Sequence, residues 1–161
     1  MLPRLNDVPL PARALGLAGL IPFVACAAAV WTTVPLLQIE GTRLLMGYSA
    51  VILTFLGGVH WGKALADRPV LNGEIDGDLN WLRLGWSVTP SLVAWIALLM
   101  SPVAALILFM AAFVAAFLVD RQAVRIGFFP EWYLPLRKVL TLGVLACLIA
   151  TLIRFRIEAG V

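Results

Sequence analysis

The stretch LGWSVTPSLVAWIALLMSPVAALILFMAAFVAAFLV, residues 84–119, runs for 36 positions without a charged side chain. A helix needs about 20 mostly apolar residues to cross the hydrocarbon of a bilayer. The run is too long for one span and suits two. Ser101-Pro102 divides it. Proline lacks a backbone N–H and fits the first turn of a helix, so the run reads as a tight helical hairpin. The flanking sequence supplies three more apolar segments. Leu44 to Gly62 is bounded by Arg43 and Lys63, Ala14 to Ile39 is uncharged with its helix ending near Trp31 to Pro35, and Val139 to Ile153 closes the series. The expectation is an all-α integral membrane protein, a five-transmembrane-helix bundle in a single domain, 1–161. Its helices lie near 14–34, 44–62, 84–101, 103–119 and 139–154, with polar connections at 63–83 and 120–138. Pro22 and Pro90 fall inside predicted spans and should kink them.

Composition agrees with a bilayer as solvent. Of 161 residues 62% are hydrophobic and 13% charged, and the mean hydropathy is +0.98. A soluble domain is nearer half apolar and a quarter charged. The net charge of +3 would hint at nucleic acid in a soluble protein. Here the basic residues sit in the connections, where topology and lipid headgroups explain them and no nucleic-acid partner is implied. With five spans, Arg4, Arg13, Lys63, Arg68, Arg83, Arg121, Arg125, Arg137 and Lys138 share one side, and Arg43, Arg154 and Arg156 the other. The positive-inside rule then places the N-terminus in the cytoplasm and the C-terminus outside. No signal peptide is expected, since the first apolar stretch lacks a basic lead-in and a cleavage pattern. A multi-pass protein of a bacterial inner membrane, C-terminus periplasmic, fits best.

Several side chains carry possible chemistry. Cys26 and Cys147 lie inside apolar segments and read as small packing residues, and the spacing for a metal site is missing. Glu74-Ile75-Asp76-Gly77-Asp78 is a fragment of a calcium loop without its distal ligand, better read as a solvated turn. His60 is the single histidine. An ionisable residue at membrane depth is a functional candidate by default, although in the last turn of its helix an imidazole can simply reach headgroups. One histidine cannot hold a haem from both faces, but it can donate to a quinone or another carbonyl compound. Trp61 and Trp86 could wall an aromatic pocket beside it, with Gly57 and Gly58 leaving room for a flat ligand. Trp31, Trp81 and Trp132 read as an interfacial belt. Ala50, Thr54, Gly58 and Gly62 recur every four residues and form a small-residue seam for close helix packing. Pro130, Trp132, Tyr133, Arg137 and Lys138 combine aromatic and basic groups in a way that suits a headgroup-level segment or a partner-docking surface. Asp120 should pair near Arg121 or with Arg83. The sequence offers no nucleotide loop, no nucleophile with an acid–base partner and no paired carboxylates within a span, so no catalytic residue is assigned.

Two of these segments, YSAVILTFLGGVHWG from Tyr48 and PEWYLPLRKVLT from Pro130 to Thr141, resemble the transmembrane protein 69-like family of bacterial and mitochondrial membrane proteins. The resemblance covers roughly Pro9 to Phe155. It implies a small polytopic inner-membrane protein and supplies no activity, cofactor or catalytic residue. Its motif residues here are Gly57, Gly58, His60, Trp61, Pro130, Trp132, Tyr133, Arg137 and Thr141. In outline the chain is also similar to the tryptophan-rich sensory (translocator) protein family, without that family's motifs. That likeness is architectural and makes a porphyrin or sterol-like ligand worth testing.

Three readings follow. The first is a non-enzymatic protein that binds a small amphipathic ligand near His60, Trp61 and Trp86, with Gly57 and Gly58. The second is an accessory or assembly subunit of a larger membrane complex, docking through Ala50, Thr54, Gly62, Pro130, Trp132, Tyr133 and Arg137. The third is a small-solute transporter, which ranks below the others because the helix centres lack charged groups.

Overall fold

The computed structural model describes residues 5–66, 77–158 and 160. After a short 3-10 turn, Leu5–Asp7, the described residues form α1 (Leu10–Ala18), α2 (Ile21–Val30), α3 (Pro35–Ala66), α4 (Gly77–Leu98), α5 (Pro102–Arg125) and α6 (Tyr133–Glu158). No strand occurs among them. α1 and α2 stack as one broken span, Leu10–Val30, so the described chain consists of five helical segments. Four of these are long and apolar enough to cross a membrane: Leu10–Val30, α3, α5 and Tyr133–Ile157. α4 is diluted by Trp81, Arg83, Ser87, Thr89, Pro90 and Ser91.

Local sequence sets the breaks. Pro22, in the first turn of α2, has no N–H to continue α1, and α1 ends on Gly19. Pro35 opens α3. The residue before a proline is pushed out of the helical region, which separates α2 from α3 over a few residues. Ser101 and Pro102 open α5 after a three-residue turn, as the hairpin expectation required.

Every helix nevertheless departs from its sequence-predicted limits. The segment placed at 14–34 occupies 10–30, 44–62 becomes Pro35–Ala66, and 84–101 becomes Gly77–Leu98. Likewise 103–119 becomes Pro102–Arg125, and 139–154 becomes Tyr133–Glu158. The connections 63–83 and 120–138 shrink to match. Charged residues marked the predicted ends, but a charge marks where hydrocarbon stops, whereas a helix continues as long as its backbone bonds do. At about 1.5 Å per residue α3 is about 48 Å long, well beyond a hydrocarbon core of about 30 Å. Its first turns carry a Glu40–Arg43 pair at 2.8 Å and Thr42, whose hydroxyl donates to the Gln38 carbonyl. Of the acidic connection, residues 67–76, with Asp67, Glu74 and Asp76, lie outside the described residues.

The helices close into a ring in which α2 contacts α3, α3 contacts α4, α4 contacts α5, α5 contacts α6, and α6 returns to α2. α3 and α5 also touch across the middle, and α1 leans on α6. Phe23, Leu45, Leu53, Leu106, Phe109 and Phe113 fill the centre. Small residues such as Ser49, Ala94, Ala97 and Ala105 are buried between helices, where they let backbones approach. Large apolar side chains including Val51, Leu92, Ile107 and Ile149 face outward. A surface of that kind needs lipid as its solvent, and the protein is a membrane protein of several spans.

Candidate functional site

The site begins with a turn. α5 ends at Arg125, and Gly127 takes a left-handed φ of +74°. The Phe128 N–H donates to the Ala123 carbonyl at 2.8 Å and the Gly127 N–H to the Val124 carbonyl at 3.1 Å. This pair of bonds is the Schellman cap, and glycine is the residue that accepts the required φ without strain. The cap reverses the chain, so that Phe128 and Phe129 fold onto Ala123 as a small buried cluster.

Under these rings lies His60. Phe128 stacks on the imidazole with centroids 6.1 Å apart, Phe129 meets it edge-on at 4.9 Å, and Trp86 does so at 6.5 Å. The outer face of Phe128 carries the Arg83 guanidinium, 4.5 Å from the ring centroid, a cation–π contact. His60 Nε2 is 2.8 Å from Asp120 Oδ1, and Arg137 Nε donates to Asp120 Oδ2 at 2.5 Å. A carboxylate only accepts, so the imidazole carries its proton on Nε2. His60, Asp120 and Arg137 are 6%, 2% and 5% exposed. Three ionisable side chains from α3, α5 and α6 thus meet in the interior. Asp120 therefore pairs with His60 and Arg137 rather than with Arg83 or a neighbour of Arg121, because Arg137 sits on the inward face of α6 and not in a headgroup loop.

Beside this cluster is a cavity of about 350 Å³ among α1, α2, α3, α5 and α6. Its walls include Gly16, Phe23, Leu56, Phe113 and Val144, and its polar side is formed by Tyr133, Arg137 and Thr141. Leu15 and Phe55 also line it, and they are 75% and 63% exposed, so the mouth opens on the lipid-facing surface. Two polar atoms in its lining lack a hydrogen-bond partner within the protein: Arg137 Nη2 and Thr141 Oγ1. A buried polar group left in that state costs about 1–3 kcal/mol. A second cavity of about 410 Å³ lies at the opposite end of α3. Its polar side chains are already engaged: Gln38 to the Thr32 carbonyl, Thr42 to the Gln38 carbonyl and Arg43 to Glu40.

The sequence-derived candidates scatter around these features. Trp86 touches His60, but Trp61 is exposed and faces a shallow groove with Trp81, Leu84, Gly85 and Val88. Trp86 borders a different groove with Leu53, Pro90 and Leu108. Gly57 is committed to packing, since a Cβ there would collide with the Ser87 carbonyl oxygen on α4. Gly58 and Gly62 have nothing within 4 Å of a Cβ position, and together with exposed Thr54 they form an open strip, while Ala50 on the same seam is buried. Tyr133 packs on Phe129, Trp132 packs on Tyr133, and Pro130 is exposed. Sequence reasoning did not place Asp120, Phe128 and Phe129 with His60. The available signal was Gly127, a helix-stop glycine that turns the following residues back. Among the described residues no group of three His, Cys, Asp or Glu side chains is placed to hold a metal ion.

Comparison with known proteins agrees with the resemblance carried by the Tyr48 and Pro130 segments. The chain is 36% identical over 152 residues to transmembrane protein 69 of Xenopus tropicalis, a match covering 92% of this chain and 56% of the frog protein. It is 31% identical over 155 residues to transmembrane protein 69 of Mus musculus, covering 92% of this chain and 58% of the mouse protein. The chain thus spans a little over half the length of these relatives. No solved structure matches it. Residues 8–153 match a family model over most of the chain, and the chain belongs to that family, described as protein of unknown function (DUF3429).

Proposed function

We propose that this protein is a non-enzymatic binding protein of a bacterial inner membrane, N-terminus cytoplasmic, which takes a small amphipathic molecule from the lipid phase. The observation that carries this reading is the cavity between α1 and α6, mostly apolar, open toward lipid and lined by buried Arg137 and Thr141. Ligand sites are characteristically mostly apolar clefts of about 300–1,000 Å³ with a few convergent polar groups. His60, Trp61 and Trp86, expected to wall one pocket, are absent from the cavity's lining, and Trp61 and Trp86 border separate grooves. The cavity takes Tyr133 and Arg137 from the residues first assigned to docking, and His60 contributes through Asp120.

The test is mass spectrometry of extracts from gently purified wild type and Val144→Phe, whose larger side chain would fill the cavity. A discrete compound near one per wild-type chain, lost in the variant, is the expected result. Preparations that both carry only bulk lipid overturn the reading. That outcome favours the second one, a docking subunit, for which the exposed Thr54, Gly58 and Gly62 strip on α3 is the supporting observation.

A further inference from the structure

Serine and threonine inside a helix have an easy local partner, the carbonyl one turn back. Thr42, Ser49, Ser87 and Thr89 all take it, donating to Gln38, Leu45, Arg83 and Gly85 at 2.7–2.9 Å. Thr141 and Thr151 do not, and of the two it is Thr141, 5% exposed and one turn from Arg137 on the same face of α6, that lines the cavity. Its hydroxyl and the Arg137 Nη2 stand unpartnered in the cavity lining. Both can donate, and a guanidinium can only donate. What they fit is an acceptor oxygen.

The charge of that oxygen follows from the cluster behind it. Arg137 is already paired with Asp120, whose carboxylate balances the guanidinium charge. An anionic head would bring an uncompensated charge into an interior that is otherwise apolar, which is costly. A neutral carbonyl would satisfy both donors without one. From Tyr133 to Val144 the cavity follows α6 for about 16 Å of the axis, polar at Arg137 and Thr141, and its other walls include Leu56, Phe23 and Phe113. This length is suited to one apolar chain or ring system.

We infer that the cavity takes a neutral, lipid-soluble molecule whose head presents a carbonyl oxygen to Arg137 Nη2 and Thr141 Oγ1, with its apolar body along Phe23 and Val144 and its entry past Leu15 and Phe55. This inference rests on the reading of the cavity as a ligand site and adds the chemistry of the head.

Three probes of equal carbon number separate the two ideas: methyl tridecyl ketone, pentadecanoate and pentadecane. Each is titrated into full-length wild type, Thr141→Val and Val144→Phe in lipid nanodiscs, and binding is measured by isothermal calorimetry. Isotope-edited infrared spectroscopy of carbonyl-labelled ketone reports its hydrogen bonding. Thr141→Val keeps the shape and removes an unpartnered polar atom, so it should fold at least as well as wild type. The ketone should bind best, with its carbonyl stretch shifted to lower frequency. Thr141→Val should weaken the ketone about five- to tenfold, the effect of losing one hydrogen bond, and leave pentadecane unchanged. Val144→Phe should abolish binding of the ketone. Tighter binding of pentadecanoate, or equal binding of ketone and alkane, or a ketone indifferent to Thr141→Val, overturns the carbonyl assignment while the cavity remains a ligand site. Failure of all three probes to bind wild type overturns both.

Discussion

Asp120 holds the candidate site together, because both of its oxygens are used and both partners are buried with it. Removing one member of a buried ionic group leaves the other uncompensated, which costs about 3–5 kcal/mol, whereas an exposed pair such as Glu40–Arg43 contributes about 0–1 kcal/mol. Asp120→Ala should therefore lower stability by about 3–5 kcal/mol, read from reversible denaturation in mild detergent. Glu40→Ala, at the opposite end of the bundle, should change it by less than about 1 kcal/mol. Equal effects of the two substitutions would refute the buried cluster. The participation of His60 was visible from its position as the single histidine, at membrane depth in an apolar span. The roles of Asp120 and Arg137 were not, because sequence position near a span's end says nothing about whether a side chain faces headgroups or the interior.

Helix crossings explain why neighbouring glycines in one motif behave differently. Pro90 leaves the Trp86 carbonyl without its helical donor, and Gly57 packs against the adjacent Ser87 carbonyl so closely that α3 and α4 tolerate no methyl group between them. Gly58, one position on, faces open space. Gly57→Ala should part the crossing and cost about 1–3 kcal/mol, the range for overpacking. Gly58→Ala should be neutral or gain up to about 1 kcal/mol from its better helix propensity. Thermal unfolding followed by circular dichroism compares them, and a Gly58→Ala loss as large as that of Gly57→Ala would overturn the assignment of the two faces. The four-residue spacing of Ala50, Thr54, Gly58 and Gly62 marked that face of α3 for close packing, whereas Thr54, Gly58 and Gly62 are open and Gly57, off that spacing, makes the approach. The spacing could not say which glycine meets the neighbour and which faces outward, since both sit on the same two turns.

At the level of the full bundle, five antiparallel segments bring the Lys63, Arg83, Arg121, Arg125 and Arg137 ends together and leave Arg43, Arg154 and Arg156 at the other. The charge asymmetry predicts a cytoplasmic location for the first group. In a chain whose Cys26 and Cys147 are replaced by serine, a single cysteine at Thr33 should react with a membrane-impermeant maleimide in intact cells. One at Gln122 should react only after permeabilisation. The reverse pattern would invert the topology without altering the fold.

The hydropathy and proline pattern was enough to establish an all-α membrane bundle, its hairpin at Ser101-Pro102 and a distortion at Pro22, expected as a kink and found as a break, because burial in lipid and loss of a backbone donor are local, one-dimensional constraints. Four of the five helix lengths were underestimated because hydrophobicity reports the thickness of the hydrocarbon and not the persistence of backbone hydrogen bonds. The meeting of His60, Asp120 and Arg137, the folding of Phe128 and Phe129 over them and the cavity lined by Thr141 depend on how three helices rotate about their axes. In lipid every apolar face is equally well solvated, so hydropathy does not choose that rotation. Backbone approach at Gly57, the Gly127 cap and the pairing of buried charges choose it, and these are settled only when the helices pack.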